Sequence, residues 1–189
     1  MSHWKTIQEF ALDNYGLVTT SQAAGFGVGA AELARWVQNG RLEKRAHGVF
    51  RLASRMPTDL DRYAESLALV GVGSRIFGES VLAMHNLAMV NPARIEVATP
   101  RRVRRLLPNW IKVIAGNVDE ESELFDGIVC QPLDKAILAC VGHVPNDRLL
   151  DAVTEARSQG LISENKVKEL KKELKGSSPT ASSMHGRLR

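Results

Sequence analysis

The sequence has no apolar run long enough to cross a bilayer, and it contains only two cysteines. A membrane-spanning helix needs roughly 18 or more consecutive apolar residues, and the N-terminus lacks the basic head and apolar core of a signal peptide. We therefore expect a cytoplasmic protein. Cys130 and Cys140 are ten positions apart among aliphatic residues, with no CxxC pair and no partner at metal-binding spacing. This pattern predicts two buried thiols and no metal site.

Motifs of catalysis are also missing. The five histidines are scattered, and none belongs to an HExxH motif or stands beside a cysteine. Ser80 and His85 share a predicted helix, but a separation of five positions points their side chains apart. Gly25, Gly27 and Gly29 follow a helix rather than a strand, and no GK[ST] occurs, so we interpret them as turn residues. The sequence therefore predicts a protein that is not an enzyme and needs no cofactor.

The composition is that of a folded, mildly basic protein. A chain of 189 residues can form one large domain or two small ones, and a hydrophobic fraction of 44% is ordinary for a globular protein. The formal net charge of +4 and the pI near 9.3 modestly favour a polyanionic partner.

The N-terminal 53 residues carry the most informative pattern. Trp4, Ile7 and Ala11 recur at helical spacing, which predicts an amphipathic helix over 4–14. Thr20 is a good N-cap for a short helical turn over 21–24, and a second helix is predicted from Gly29 to Asn39. The segments 41–45 and 49–52 flank a His47-Gly48 turn typical of a tight hairpin. Helix, turn, helix and basic wing predict a winged helix-turn-helix, a fold whose second helix enters the DNA major groove.

The two faces of this second helix predict which residues meet DNA. Leu33, Trp36 and Val37 form its apolar stripe, which leaves the opposite edge to solvent or DNA. Arg35 and Gln38 are the best base-reading candidates, because arginine can pair with guanine and glutamine with adenine. Phosphate contacts are expected from the basic hairpin, whose candidates are Arg41, Lys44, Arg45, His47 and Arg51.

The pattern changes after a polar, proline-containing stretch over 54–59, where we place a linker between domains. Residues 60–175 predict an α+β domain with a small sheet and a helical C-terminal part. Its predicted strands lie within 93–98, 110–114 and 127–130, and its predicted helices span 60–70, 79–87, 133–141, 147–159 and 163–174. The tail over 176–189 is rich in Ser, Thr, Gly and Pro and is expected to be disordered.

An arginine cluster follows the first predicted strand of this second domain. Its members are Arg101, Arg102, Arg104 and Arg105, and a run of acidic residues follows over 119–126. One interpretation is that these are solvated loop charges that balance one another. The other is that the arginines contact phosphate or an acidic protein surface.

Two segments of the N-terminal region, GLVTTSQAAGFGV and ELARWVQNGRLEKRAHGVFRL, closely resemble the winged-helix domain of the AbiEi family of antitoxins. Further along, FGESVLAMHNL and IEVATPRRVRR resemble the following helix and strand of that family, so the likeness covers roughly residues 4–115. In one respect the chain departs from the family pattern, because Gly29, Ala30 and Ala31 stand where members often have polar or basic residues. Alanine can still contact a thymine methyl, so Ala30 and Ala31 remain candidate DNA contacts.

The resemblance implies a bacterial protein with two partners. Its N-terminal domain would bind inverted repeats in double-stranded DNA of its own promoter and repress the operon. Its C-terminal domain would counteract a co-encoded nucleotidyltransferase-like toxin. The alternative is a winged helix that docks proteins, or a stand-alone transcriptional regulator without an antitoxin role.

Overall fold

The computed structural model describes residues 2–115 and 121–176, so the predicted disordered tail lies outside the described residues from position 177 onward. Two compact units are present: Met1–Phe77 with Ala93–Gln131, and Gly78–Pro92 with Pro132–Arg189. Both contain helices, and the first holds two sheets. The predicted α+β class is confirmed.

The N-terminal part of the first unit is a winged helix-turn-helix. Its three antiparallel strands are ordered β1-β3-β2. The cap of the second helix is Thr19 rather than the predicted Thr20, because Thr19 and Gln22 form a reciprocal capping box. The elements are α1 (His3–Leu12), β1 (Leu17–Thr19), α2 (Thr20–Gly25), α3 (Ala30–Gln38), β2 (Leu42–Ala46) and β3 (Val49–Leu52).

A continuous apolar core holds these elements together. Ile7 and Ala11 of α1 are fully buried, as their helical spacing predicted, and belong to the same cluster as Leu33 and Trp36 of α3. The rings of Trp4 and Trp36 meet edge to face with their centroids 5.1 Å apart. This packing sets the position of α3, and therefore of its exposed edge.

A second, five-stranded sheet completes the first unit. Its strand order is β6-β5-β4-β8-β7, with β4 (Arg75–Ile76), β5 (Ile95–Thr99), β6 (Ile111–Ala115), β7 (Glu123–Phe125) and β8 (Ile128–Cys130). The sequence predicted β5, β6 and β8 but not β4 or β7. Strand β4 is only two residues long, and β7 is mostly exposed, so neither carries an apolar pattern long enough to read.

The linker predicted over 54–59 does not separate the two compact units. Helix α4 (Asp61–Val70) packs against β1 of the first sheet and against β4 and β5 of the second. Its acidic side chains also form ion pairs with arginines of the winged helix, described below. The polar, proline-containing stretch is therefore a turn within one unit.

The second unit is helical. It contains α5 (Glu79–Met84), α6 (Leu133–Ala139), α7 (Asn146–Ser158) and α8 (Glu164–Gly176). Helix α5 ends earlier than predicted, and Asn86 just beyond it adopts a left-handed conformation with φ of 57°. Helices α7 and α8 pack on each other, and Leu149, Val153 and Leu170 of these helices are buried. None of the helices in the described residues is long and apolar enough to cross a membrane.

The cysteines match their prediction as buried thiols. Cys130 lies on β8 and Cys140 follows α6, and neither forms a disulfide. Burial raises the pKa of Cys130 to about 12, and the nearby carboxylate of Glu123 acts in the same direction. A thiol with this pKa stays protonated near neutral pH, which makes it a poor nucleophile.

Candidate nucleic-acid interface

Helix α3 presents a polar and small-residue edge to solvent. Leu33 and Trp36 are buried beneath it, and Val37 is partly buried. Gly27, with φ of +76°, makes the left-handed turn that leads from α2 into α3. The residues of α3 predicted to contact DNA are all exposed, and so are Ala34 and the C-cap residue Asn39: the predicted ones are Ala30, Ala31, Arg35 and Gln38.

Arg35 has a partner within its own helix. Its Nη2 atom lies 3.3 Å from Oε1 of Glu32, whose other carboxylate oxygen lies 3.1 Å from Nδ1 of His3. The Arg35 side chain is 64% exposed, and an exposed ion pair at this spacing contributes only about 0.5 kcal/mol. The guanidinium can therefore exchange Glu32 for a base or a phosphate at little cost.

The turn of the hairpin between β2 and β3 packs against the start of α2. The backbone N–H of Thr20 donates to the carbonyl of Gly48 over 2.9 Å. Gly48 has φ of +73°, and a Cβ atom there would lie 3.3 Å from Oγ1 of Thr20. Glycine is therefore needed at this turn. His47 beside it is exposed.

Besides His47, two of the five predicted hairpin cations are exposed and have no carboxylate partner within the described residues, which suits a phosphate contact. Lys44 in the middle of β2 is exposed and forms no ion pair within the described ranges 2–115 and 121–176. Arg41 is also exposed, and its guanidinium lies 5.0 Å from the centre of the Trp4 ring. This cation–π contact holds Arg41 near α1 without neutralising its charge.

Arg45 and Arg51, which were also predicted as DNA contacts, each place the guanidinium against a carboxylate of α4. Arg45 makes two hydrogen bonds to Glu65, of 2.9 and 3.3 Å. Arg51 lies 3.0 Å from Asp61, and its side chain is only 13% exposed. Strand alternation alone cannot reveal such partners, since they lie on a later helix. Asp61 and Glu65 are four positions apart, a spacing that puts both on one helix face and was an available signal.

Asp61 is the centre of this network. It accepts hydrogen bonds from Nη1 of Arg55 at 2.7 Å and from the Thr58 hydroxyl at 2.6 Å. Burial alone would raise the pKa of Asp61, but the bonds from Thr58 and Arg55 outweigh it and hold that pKa below its usual value. The carboxylate therefore stays charged and ties the winged helix to α4.

The arginine cluster forms an exposed loop after β5. The backbone N–H of Arg101 donates to Oγ1 of Thr99 over 3.2 Å. Within the described part of the chain, none of the four guanidinium groups takes part in an ion pair: Arg101, Arg102, Arg104 and Arg105. Arg105 also lines a cavity in the first unit that reaches the His47-Gly48 turn. Positive charge is thus available on this loop as well as on the hairpin.

The N-terminal winged helix-turn-helix is similar in sequence to a family of known regulators. Residues 5–53 match a family model described as "Transcriptional regulator, AbiEi antitoxin". Among solved structures, the crystal structure of the RV2827C protein from Mycobacterium tuberculosis is similar, with a TM-score of 0.45 and 14% identity. That likeness covers 88% of this chain and 70% of that one. No curated protein gives a match. Residues 5–53 are thus similar to the AbiEi antitoxin family of transcriptional regulators, in the same segment where the sequence shows the resemblance.

Proposed function

We propose that this protein is the DNA-binding antitoxin of a bacterial toxin–antitoxin pair and represses its own operon. The observation that carries the proposal is the exposed edge of α3 within a domain that matches an antitoxin regulator family. A helix whose apolar stripe packs on the core and whose opposite face is exposed can enter a major groove without disturbing the core. The absence of a bulky side chain at Ala30 and Ala31 lets the backbone approach the base edges closely.

The proposed contacts divide into two classes. Arg35 and Gln38 read bases, while Lys44, Arg41 and His47 contact phosphates and supply affinity and register. Arg45 and Arg51 are left out of the DNA surface, since α4 holds both. Because few base contacts remain, we expect specificity to depend on paired half-sites bound by two copies of the domain.

The test is binding of the full chain to the DNA upstream of its own gene, measured by fluorescence anisotropy at several salt concentrations. We expect Lys44→Gln to weaken binding to every sequence alike and to reduce the log–log salt slope by about 0.9, because one phosphate contact is lost. Lys172→Gln makes the same charge change on α8 and should leave the slope unaltered. An unchanged slope in Lys44→Gln, or no binding to this DNA, would contradict the proposal.

A second binding measurement tests the proposed contacts with bases. Gln38→Ala is expected to cost about 1–3 kcal/mol of binding free energy at the operator and to lower the preference for it over random DNA. Under the alternative of a protein-docking winged helix, Arg35→Ala and Lys44→Ala would leave repression of a reporter operon intact. Repression that survives both substitutions therefore favours the docking module.

The Arg45–Glu65 pair predicts an unusual gain of DNA affinity. Glu65 is 9% exposed and holds the Arg45 guanidinium in two hydrogen bonds, although the Arg45 side chain remains 38% exposed. We expect Glu65→Gln to tighten DNA binding and to steepen the salt slope by up to about 0.9, because Arg45 becomes free to contact a phosphate. The same change should lower the free energy of unfolding by about 1–3 kcal/mol. The double variant Arg45→Gln/Glu65→Gln should lose the gain; if it binds as tightly as Glu65→Gln, Arg45 is not its source.

We further propose that the remainder of the chain counteracts a co-encoded nucleotidyltransferase-like toxin. The support is the exposed arginine loop, whose cations suit either DNA phosphate or an acidic protein surface. In a variant with all four arginines of the cluster changed to glutamine, lost DNA affinity with intact protection from the toxin assigns the loop to DNA. Lost protection with intact DNA affinity assigns it to the toxin. If cells that express the neighbouring gene survive no better with the wild-type chain, the antitoxin role is refuted.

A further inference from the structure

A cavity of about 660 Å³ lies wholly within the first compact unit. One wall comes from the winged helix, at the start of α2 and at the His47-Gly48 turn. The opposite wall comes from α4 and β8, and Arg105 reaches the cavity from the arginine loop. Small-molecule sites typically occupy about 300–1,000 Å³, so the space has the size of a ligand pocket.

The two walls differ in chemistry. The α4 and β8 wall presents aliphatic groups, with Leu67, Ala68 and Val129 among them. The winged-helix wall adds small polar groups, including Thr20 and Ser21, beside the apolar Leu17 and Val49. A ligand with an apolar body and a polar head would match this lining, because apolar groups surround most of the cavity and polar groups lie on one side of it.

The charges lining the cavity set the sign of that head. Arg105 is exposed and forms no ion pair with any residue in 2–115 or 121–176, and His47 adds an imidazole that can donate a hydrogen bond. Among the described lining residues the only carboxylate is Asp13. A planar guanidinium recognises a carboxylate or sulfonate through paired hydrogen bonds.

We infer that this cavity binds an amphipathic organic anion, with its carboxylate or sulfonate at Arg105 and its apolar body against α4 and β8. This inference goes beyond the proposed function and concerns a small molecule rather than DNA or the toxin. It is independent of DNA binding, so it can be tested in the absence of DNA.

The test uses the full chain and the fluorescent aromatic sulfonate 1-anilinonaphthalene-8-sulfonate. We expect saturable binding that octanoate displaces about tenfold more effectively than octanol, since a charge-assisted hydrogen bond to Arg105 adds to the same apolar contact. Ala68→Trp, which fills the apolar side, should abolish the saturable signal. Circular dichroism checks that this variant is folded.

Arg105→Gln tests the head group without touching the core. It should reduce the advantage of octanoate over octanol about tenfold, whereas the matched variant Arg101→Gln, on the same loop but outside the cavity lining, should preserve it. Equal displacement by octanoate and octanol from the wild-type chain would overturn the inference. So would an unchanged signal in folded Ala68→Trp, or an equal effect of the two arginine variants. A negative outcome of these ligand experiments would not change the conclusion drawn from the DNA titrations.

Discussion

Replacing Trp36 with alanine is expected to lower the free energy of unfolding by about 3–5 kcal/mol, which is a large share of the stability of a domain this small. The side chain is 2% exposed and lies between α1 and the hairpin strands in the core. Its removal leaves a cavity beneath α3 and deletes the edge-to-face contact with Trp4. Because Trp36 positions the exposed edge of α3, DNA binding should fall with the stability.

Denaturant unfolding followed by circular dichroism measures this effect, since fluorescence would change with the loss of a tryptophan. Trp36→Phe keeps a ring in the core and should cost distinctly less than Trp36→Ala. Trp110→Ala removes the same side chain from the turn just before β6, where Trp110 is only partly buried beside Arg62. If Trp36→Ala costs no more than Trp110→Ala, the packing beneath α3 does not hold that helix in place.

Replacing Asp61 with alanine is expected to cost about 3–5 kcal/mol, the loss typical when one partner of a buried ion pair is removed. The change leaves the guanidinium groups of Arg51 and Arg55 without their carboxylate, and their side chains are only 13% and 17% exposed. Thr58 loses its acceptor as well. Thermal and denaturant unfolding measure the effect, and Asp59→Ala is the matched control on an exposed neighbouring carboxylate. Equal losses in the two variants would mean that the network contributes nothing.

The pH dependence of Asp61→Asn gives a second readout of the same network. The folded-state pKa of Asp61 is held below its unfolded value, so the carboxylate adds stability above the unfolded pKa, about 3.9. That contribution disappears as the pH falls through the folded-state pKa. The stability difference between the wild type and Asp61→Asn should therefore be largest at neutral pH and shrink below about pH 4. A difference that stays constant from pH 7 to pH 3 would contradict the prediction.

Much of the winged helix was predictable because its signals are local. The spacing of Leu33, Trp36 and Val37 revealed the buried stripe of α3, and the stripe by itself implied the exposed edge opposite. The His47-Gly48 pair revealed the hairpin turn, because few other residues adopt its left-handed backbone. The match over residues 5–53 falls on the same segment.

The partners of the hairpin cations could not be predicted in this way. The sequence placed Arg41, Lys44, Arg45 and Arg51 together, and only the packing of α4 separated them into exposed and internally paired groups. The linker was predicted from polar composition, which does not reveal that Thr58 and Arg55 donate hydrogen bonds to the buried carboxylate of Asp61. Likewise, β4 became a strand through its neighbours on both sides rather than through its own two residues.

The sequence by itself determined the three helices and the hairpin of the N-terminal domain, though not β1, together with the exposed edge of α3 and the basic character, since helical period, turn chemistry and charge are properties of neighbouring residues. The tertiary structure alone decided which cations of the hairpin pair with carboxylates of α4. It also decided that Arg105 lines the cavity of the first unit. Those outcomes depend on contacts between side chains ten or more positions apart, which only the folded chain brings together.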